Sequence, residues 1–264
     1  MGDHDGVAPC WQRSLRYRML FDSRPTLSRA EARSVYDGFA VKGHAGGRDA
    51  GSGYGGPAVQ ALLAMAAFAE ARSVVDYGCG QGKLAELVLS SQPELRWRGV
   101  DQSPMMVEKA SARLERFGPR CTVELLPDGD PASLAVPADG GADRFVSTYC
   151  LDLMSEADMI ATLDKAEACL HPERGLLLLA GITWGYRMSV RTFLMTLVWE
   201  ILYRFRRKVV GGCRPQHLAP YLRAKGWRIV KEVRTLPSGF PWMASEVLAA
   251  RPPLASEVCE GGRV

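Results

Sequence analysis

The sequence predicts an open, doubly wound α/β sheet, and three observations carry that prediction. Short β-branched or aliphatic runs alternate with helical segments from residue 57 to about 182; the first run ends in the turn Gly78-Cys79-Gly80-Gln81-Gly82; and the second ends on an acid, Asp101. Such alternation implies parallel strands joined by right-handed crossovers. Glycines at a strand-to-helix turn, followed by an acid closing the next strand, mark the crevice where such sheets bind ligands.

Each element has its own signal. Ser28-Arg29-Ala30-Glu31 has the spacing of a capping box and predicts a short helix through "ARSVYDGFA". The glycine-rich stretch Gly43 to Gly56 reads as a loop, placed to serve as a cover. Pro57 opens the alanine-rich helix "AVQALLAMAAFAEA". The first strand, "RSVVDYG", leads through the glycine turn into "KLAELVLSS", with Leu84, Leu87 and Val88 at helical spacing. "RWRGVD" is the second strand, and Ser103-Pro104 caps and starts the helix "PMMVEKASARLERF". Strands follow in "CTVELL", "RFVSTYCL" and "GLLLLAGI", the last two separated by the helix "EADMIATLDKAEACL". Beyond them come a long arginine-flanked helix at about 187–207, a helix in "PQHLAPYLRAKG", and the strand-like runs "WRIVKEVRTL" and "MASEVLAA". The organisation read from this is a lead-in and cover over 1–56, one domain over 57–253 carrying the inserted helix, and a tail over 254–264.

Bulk properties exclude several classes. At 264 residues, 47% hydrophobic and 23% charged, the composition is that of a globular protein with one substantial core. A formal charge of +4 is too small to argue for nucleic acid, and none is expected as a partner. The seven cysteines are scattered and contain no C-x-x-C pair, so neither a disulfide framework nor a metal site is expected, and a reducing compartment fits. "MGDHDGVAPC" has no apolar signal core, and Gly6 stands where myristoylation needs Ser or Thr; the expected location is cytoplasmic. The longest apolar run, Phe193 to Tyr203, contains Glu200 and falls well short of the roughly 20 residues that span a bilayer.

The glycine turn does not fit phosphate chemistry. A dinucleotide fingerprint needs G-x-G-x-x-G, whereas Lys83 stands where the third glycine should be; a P-loop needs Ser or Thr after its lysine, and Leu84 follows instead. In order, "VVDYGCGQGKLAELVL", "GVDQSPMMVEKA", "PDGDPASL" and "DRFVSTYCLDLM" resemble the successive motifs of the class I S-adenosylmethionine-dependent methyltransferases, with a loose likeness to the quinone- and lipid-modifying, small-molecule branch. The resemblance covers about residues 70–182. It implies a Rossmann-like seven-stranded sheet whose last strand pair is antiparallel, with S-adenosylmethionine as the cofactor. It also implies that Asp76, Gly78 and Gly80 hold the methionine portion, that Asp101 receives the ribose hydroxyls, and that Met105 or Met106 covers the adenine, with Cys79 and Gln102 also among the cofactor-binding residues. Gly129 and Asp130 would meet the adenine amino group, and Thr148 and Tyr149 would face the methyl.

Transfer of a methyl group from a sulfonium is an in-line displacement, which needs alignment above all and a base only where the acceptor must lose a proton. Tyr36, Tyr54, Tyr149, Asp152 and His217 are the catalytic candidates, as polar side chains in the cover, at strand ends or in "GGCRPQHL". The expected substrate is a small, apolar or amphipathic acceptor. Two alternatives stay open: a protein or RNA methyltransferase, although "TYCL" replaces the [DN]-P-P-[YFW] signature of many amino-group enzymes, and a membrane-associated module that binds the cofactor without catalysis. The segment from Arg187 to Lys208 carries six basic residues and one acid around an apolar middle. It suits a peripheral contact with an anionic membrane or a roof over an apolar cavity. A third reading makes Leu194, Val198, Ile201 and Leu202 core residues. Nothing in the sequence bears on oligomeric state.

Overall fold

A computed structural model of the chain describes residues 26–41, 55–138, 140–184, 190–236 and 243–253. Tyr54, most of the glycine-rich loop, the lead-in and the tail lie outside the described residues. So do 185–189, which take in the start of the helix expected at 187.

Seven strands form one sheet: β1 Ser73–Tyr77, β2 Arg96–Asp101, β3 Cys121–Leu125, β4 Arg144–Thr148, β5 Leu176–Ile182, β6 Arg228–Thr235 and β7 Ser245–Arg251. Their order is β3-β2-β1-β4-β5-β7-β6. β1 to β5 pair in parallel, while β7 runs antiparallel between β5 and β6, which is the ending that the sequence resemblance implies. The order reverses between β1 and β4. At that switch point the loops leaving the two strands diverge and open a crevice at their carboxyl ends.

Side chains of β5 alternate between two cores. Leu177 and Leu179 join Phe145, Leu248 and the buried face of the helix Glu156–Cys169 on one side. Leu178 joins Val74, Val146 and Val247 on the other, under the helices Gly55–Ala66, Lys83–Leu89 and Pro104–Leu114. A strand period of two thereby makes β5 apolar throughout, as a strand covered on both faces must be. β6 closes the sheet as an exposed edge carrying Arg228, Lys231, Glu232 and Arg234, charges that discourage pairing with another chain.

In chain order the helices are α1 Arg29–Val41, α2 Gly55–Ala66, α3 Lys83–Leu89, α4 Pro104–Leu114, α5 Glu156–Cys169, α6 Val190–Arg206 and α7 Ala219–Ala224. The capping box at α1 forms: the Ser28 N–H donates to Glu31 Oε2 at 3.1 Å, and the Glu31 N–H donates to Ser28 Oγ at 3.2 Å. Ser103 caps α4 by accepting the Met106 N–H at 3.2 Å.

α6 departs from the expectation that Leu194, Val198, Ile201 and Leu202 are core residues: they are 53%, 48%, 50% and 37% exposed. Its buried side chains are Thr192, Thr196, Glu200 and Tyr203.

Arg144 is buried at the start of β4, and burial draws its pKa below the ordinary guanidinium value. Its guanidinium donates to the carbonyls of Ala66, Ala67 and Asp143 at 2.6, 2.8 and 2.8 Å. Two of those carbonyls stand at the end of α2, where helical partners run out. Arg144→Ala is expected to destabilise the protein by about 3 kcal/mol in chemical denaturation, because buried carbonyls lose charged donors. A loss below ~1 kcal/mol would show that water replaces the guanidinium.

Candidate functional site

The glycine turn is shaped by close packing and left-handed backbone. Gly78 has φ of +76°, and a Cβ there would lie 2.5 Å from Cys150 Sγ, so β1 and β4 can approach only with glycine at this place. Gly80, with φ of +55°, differs: its Cβ would project into open space, which leaves the backbone bare toward the crevice.

Asp101 organises the next layer. Its Oδ2 accepts the Gly80 N–H at 2.9 Å and its Oδ1 accepts the Ser103 N–H at 2.9 Å. Burial pushes this carboxyl above its ordinary pKa, with the N–H groups of Ser103 and Gly80 opposing the shift. Each oxygen keeps a further lone pair for a ligand hydroxyl. Asp76, 2% exposed beneath the turn, is pushed up to about 7 by burial; the Trp97 indole opposes this and the charge of Asp101 adds to it. Two carboxyls at the foot of one cleft favour a cationic or hydroxyl-rich ligand over a phosphate.

The cleft above them is lined by Asp76, Gly78, Cys79, Gly80, Asp101, Gln102, Met106, Gly129, Thr148 and Tyr149, and from the cover by Tyr36. All of these were singled out in the sequence. Cys79 contributes backbone while its sulfur packs against Gly99, and burial raises the Cys79 and Cys150 thiols well above their ordinary pKa, keeping both neutral. Tyr149 takes φ of +53°, a left-handed conformation uncommon for a bulky residue. That bend turns its hydroxyl to within 2.9 Å of Ser245 Oγ.

Three candidates stand apart from the cleft wall. Asp130 caps its own turn, accepting the Ala132 N–H at 3.1 Å, and lies 3.3 Å from the Arg29 guanidinium. Asp152 is 1% exposed, and its Oδ2 accepts the Ile182 N–H at 3.2 Å. His217 Nδ1 lies 3.0 Å from Thr183 Oγ1 and 3.9 Å from Glu246 Oε1. In each case a long-range partner beyond β4 or β5, or an adjacent turn, engages the side chain.

Sequence reading missed the other half of the cleft. Leu27, just before α1, and Arg29 and Ala32 on it line one part, and Leu153, Met154 and Ser155, just before α5, and Asp158 on it line another. Arg29 spans the two, donating to Asp158 at 2.6 Å. Arg33 donates to the Gln102 carbonyl at 2.9 Å, and the Ser103 hydroxyl donates to Asp37. α1 therefore lies over the crevice, tied to the residues that flank Asp101. The Ser155 cap was the available signal for the α5 half; the Arg29 contact joins positions too far apart to read. Among the described residues, no group of His, Cys, Asp and Glu is arranged to hold a metal ion.

Comparison with known proteins bears on the same segment. Residues 74–173 match a family model described as "Methyltransferase domain". A 61-residue stretch is 44% identical to the ribosomal RNA small subunit methyltransferase H of Beutenbergia cavernae, covering 23% of this chain but only 18% of that protein. The fold superposes on the [4+2]-cyclase SpnF at a TM-score of 0.64 with 18% identity, covering 88% of this chain and 98% of that one. It superposes on the N-methyltransferase NodS of Bradyrhizobium japonicum, solved with S-adenosyl-l-homocysteine, at 0.55 with 14% identity, covering 76% and 88%. A cyclase and a methyltransferase thus share this architecture, and only the site can assign a reaction.

Asp76 sets the testable electrostatics of the site. An acid whose folded pKa is raised from 3.8 to about 7 costs stability as pH rises through that window, because the native state holds a proton that the unfolded chain has released. Above the window the cost is on the order of 4 kcal/mol. Asp76→Asn is expected to change the free protein's stability more favourably at pH 8 than at pH 5, by about 3 kcal/mol in denaturation experiments. A difference that does not vary with pH would mean that Asp76 titrates normally.

Proposed function

We propose that the protein, whose residues 74–173 match a methyltransferase domain, is of the class I, S-adenosylmethionine-dependent type and transfers a methyl group from S-adenosylmethionine to a small, apolar or amphipathic acceptor. The carrying observation is the division of the cleft. Carboxyls and the bare turn at Gly80 form its floor, while Leu27, Ala32, Tyr36, Leu153 and Met154 line its covered side.

The floor suits the donor. Asp101, fixed by two N–H donors, has lone pairs left for vicinal hydroxyls, and the ionised form of Asp76 would offset an ammonium or sulfonium charge. Gln102, lying against Gly129, and buried Met106 would flank the base. When bound, S-adenosylmethionine would supply an electrophilic methyl whose bond to sulfur breaks, its pair staying on sulfur, as the acceptor's lone pair bonds the carbon; an acceptor O–H or N–H would release its proton to water.

The covered side would orient the acceptor and exclude water. Tyr36 and Tyr149 are the described catalytic candidates that line the cleft, so they are assigned to aligning the nucleophile. Asp152 and His217 are instead assigned to positioning, through Ile182 and Thr183 at the end of β5.

A second reading, methylation of RNA, draws on the short likeness to a ribosomal RNA enzyme. RNA binding with a steep salt dependence would favour it, since phosphate contacts release counterions.

Calorimetry with S-adenosyl-l-homocysteine tests the donor site. Asp101→Ala is expected to weaken binding by about 1–3 kcal/mol, and unchanged binding would overturn the assignment. For the acceptor side, labelled methyl transfer to a panel of phenols and quinols is the assay. Tyr149→Phe or Tyr36→Phe is expected to lower kcat by about 10²-fold or more while donor affinity holds. If neither substitution changes kcat, alignment of the nucleophile must be assigned elsewhere.

A further inference from the structure

Helix α6 turns the usual polarity of a surface helix inside out. Thr192, Thr196, Glu200 and Tyr203 fall three or four residues apart, share one face, and are buried. The opposite face presents Phe193, Leu194, Leu197, Val198, Ile201 and Phe205, from 42% to 77% exposed. A helix covering a core does the reverse. Most of the large apolar side chains left exposed among the described residues lie in the single stretch Val190 to Val209, so this is one contiguous patch rather than scattered surface.

Its rim is predominantly cationic, Glu31 of α1 standing 3.7 Å from Lys208 Nζ. Arg191 stands at the first turn, and Arg204, Arg206, Arg207 and Lys208 at the other end. The only acid of the helix, Glu200, is 7% exposed on the inner face. A second copy of the chain fits this surface poorly. Antiparallel pairing would set Arg191 against the partner's C-terminal cations, parallel pairing would set like ends together, and neither arrangement finds an acid on the facing helix. A bilayer with anionic headgroups fits both features, because apolar side chains enter the acyl boundary while arginine stems reach back to the phosphates.

The helix has 17 residues, about 25 Å at ~1.5 Å per residue, less than the ~30 Å hydrocarbon core. No described helix is long and apolar enough to cross a membrane. We propose that α6 docks the protein on anionic lipid bilayers, lying in the plane of the headgroups.

The inner face gives docking a consequence for the site. Met195 and Trp199 pack on the buried cluster of Ile182, Cys213 and Met243, against which Tyr149 and Leu153 also pack, and the Trp199 indole donates to the Cys213 carbonyl at 2.9 Å. Tyr149 and Leu153 line the cleft. The covered side of the cleft and the inner face of α6 thus share one buried cluster. The docking proposal does not depend on what the acceptor is.

Sedimentation of the full chain with phospholipid vesicles tests it, using phosphatidylcholine alone or with about one third phosphatidylglycerol. Binding is expected to the anionic vesicles, weaker to phosphatidylcholine alone and weaker again in about 0.5 M salt. The double variant Leu197→Asp/Ile201→Asp, at exposed positions, is expected to lose about tenfold or more. Arg204→Gln/Arg206→Gln is expected to lose about fivefold per cation on anionic vesicles only. Retained calorimetric binding of S-adenosyl-l-homocysteine by each variant serves as the folding control; its failure in the wild-type protein would count against the donor site and leave the vesicle result standing. Docking is overturned if the wild-type chain binds neither vesicle type, or if the variants bind as well as it does. A concentration-dependent dimer that Ile201→Asp disperses would also overturn it, making a second copy the occupant.

Discussion

Everything at the cleft depends on the way one carboxylate is held. Asp101 takes the Gly80 N–H on one oxygen and the Ser103 N–H on the other, so a single side chain pins the turn after β1 to the end of β2 and to the first turn of α4. The Ser103 hydroxyl then reaches Asp37, and Arg33 reaches the carbonyl of Gln102, which brings the cover into register with the same acid. Hydrogen bonds to a charged group are roughly twice as strong as neutral ones, which suits this role as a junction.

The junction is also a source of tension. Burial raises the pKa of both Asp76 and Asp101, the charge of Asp101 adding to the rise at Asp76 and that of Asp37 to the rise at Asp101, and Tyr149 holds a left-handed backbone at the end of β4. Such features cost stability in the free protein and are kept where a ligand relieves them. The cost is carried by the twin cores of the sheet, above all by β5, whose side chains are apolar toward both faces.

How far all this could be read in the sequence varied with the range of the interactions involved. Alternating strands and helices, the caps at Ser28 and Ser103, and the glycines before α3 are local signals, and each element appears where its signal lies. The same is true of the cleft floor, which one turn and one strand end build. Asp130, Asp152 and His217 were singled out by position along the chain, but their surroundings come from Arg29, Ile182 and Thr183, which only the fold brings close. In α6 the period was legible and the facing was not, because spacing fixes which residues share a side but not which side meets the protein.

The fastenings of α1 differ in kind from those of the sheet. Arg29 with Asp158 and Asp130 joins partly exposed charges, whereas the sheet below is joined by buried apolar surface. Ionic strength screens the first kind of contact and scarcely touches the second. The cover and the floor therefore answer to different solution variables: salt weakens the ion pairs that fasten α1 and leaves the apolar platform beneath it intact.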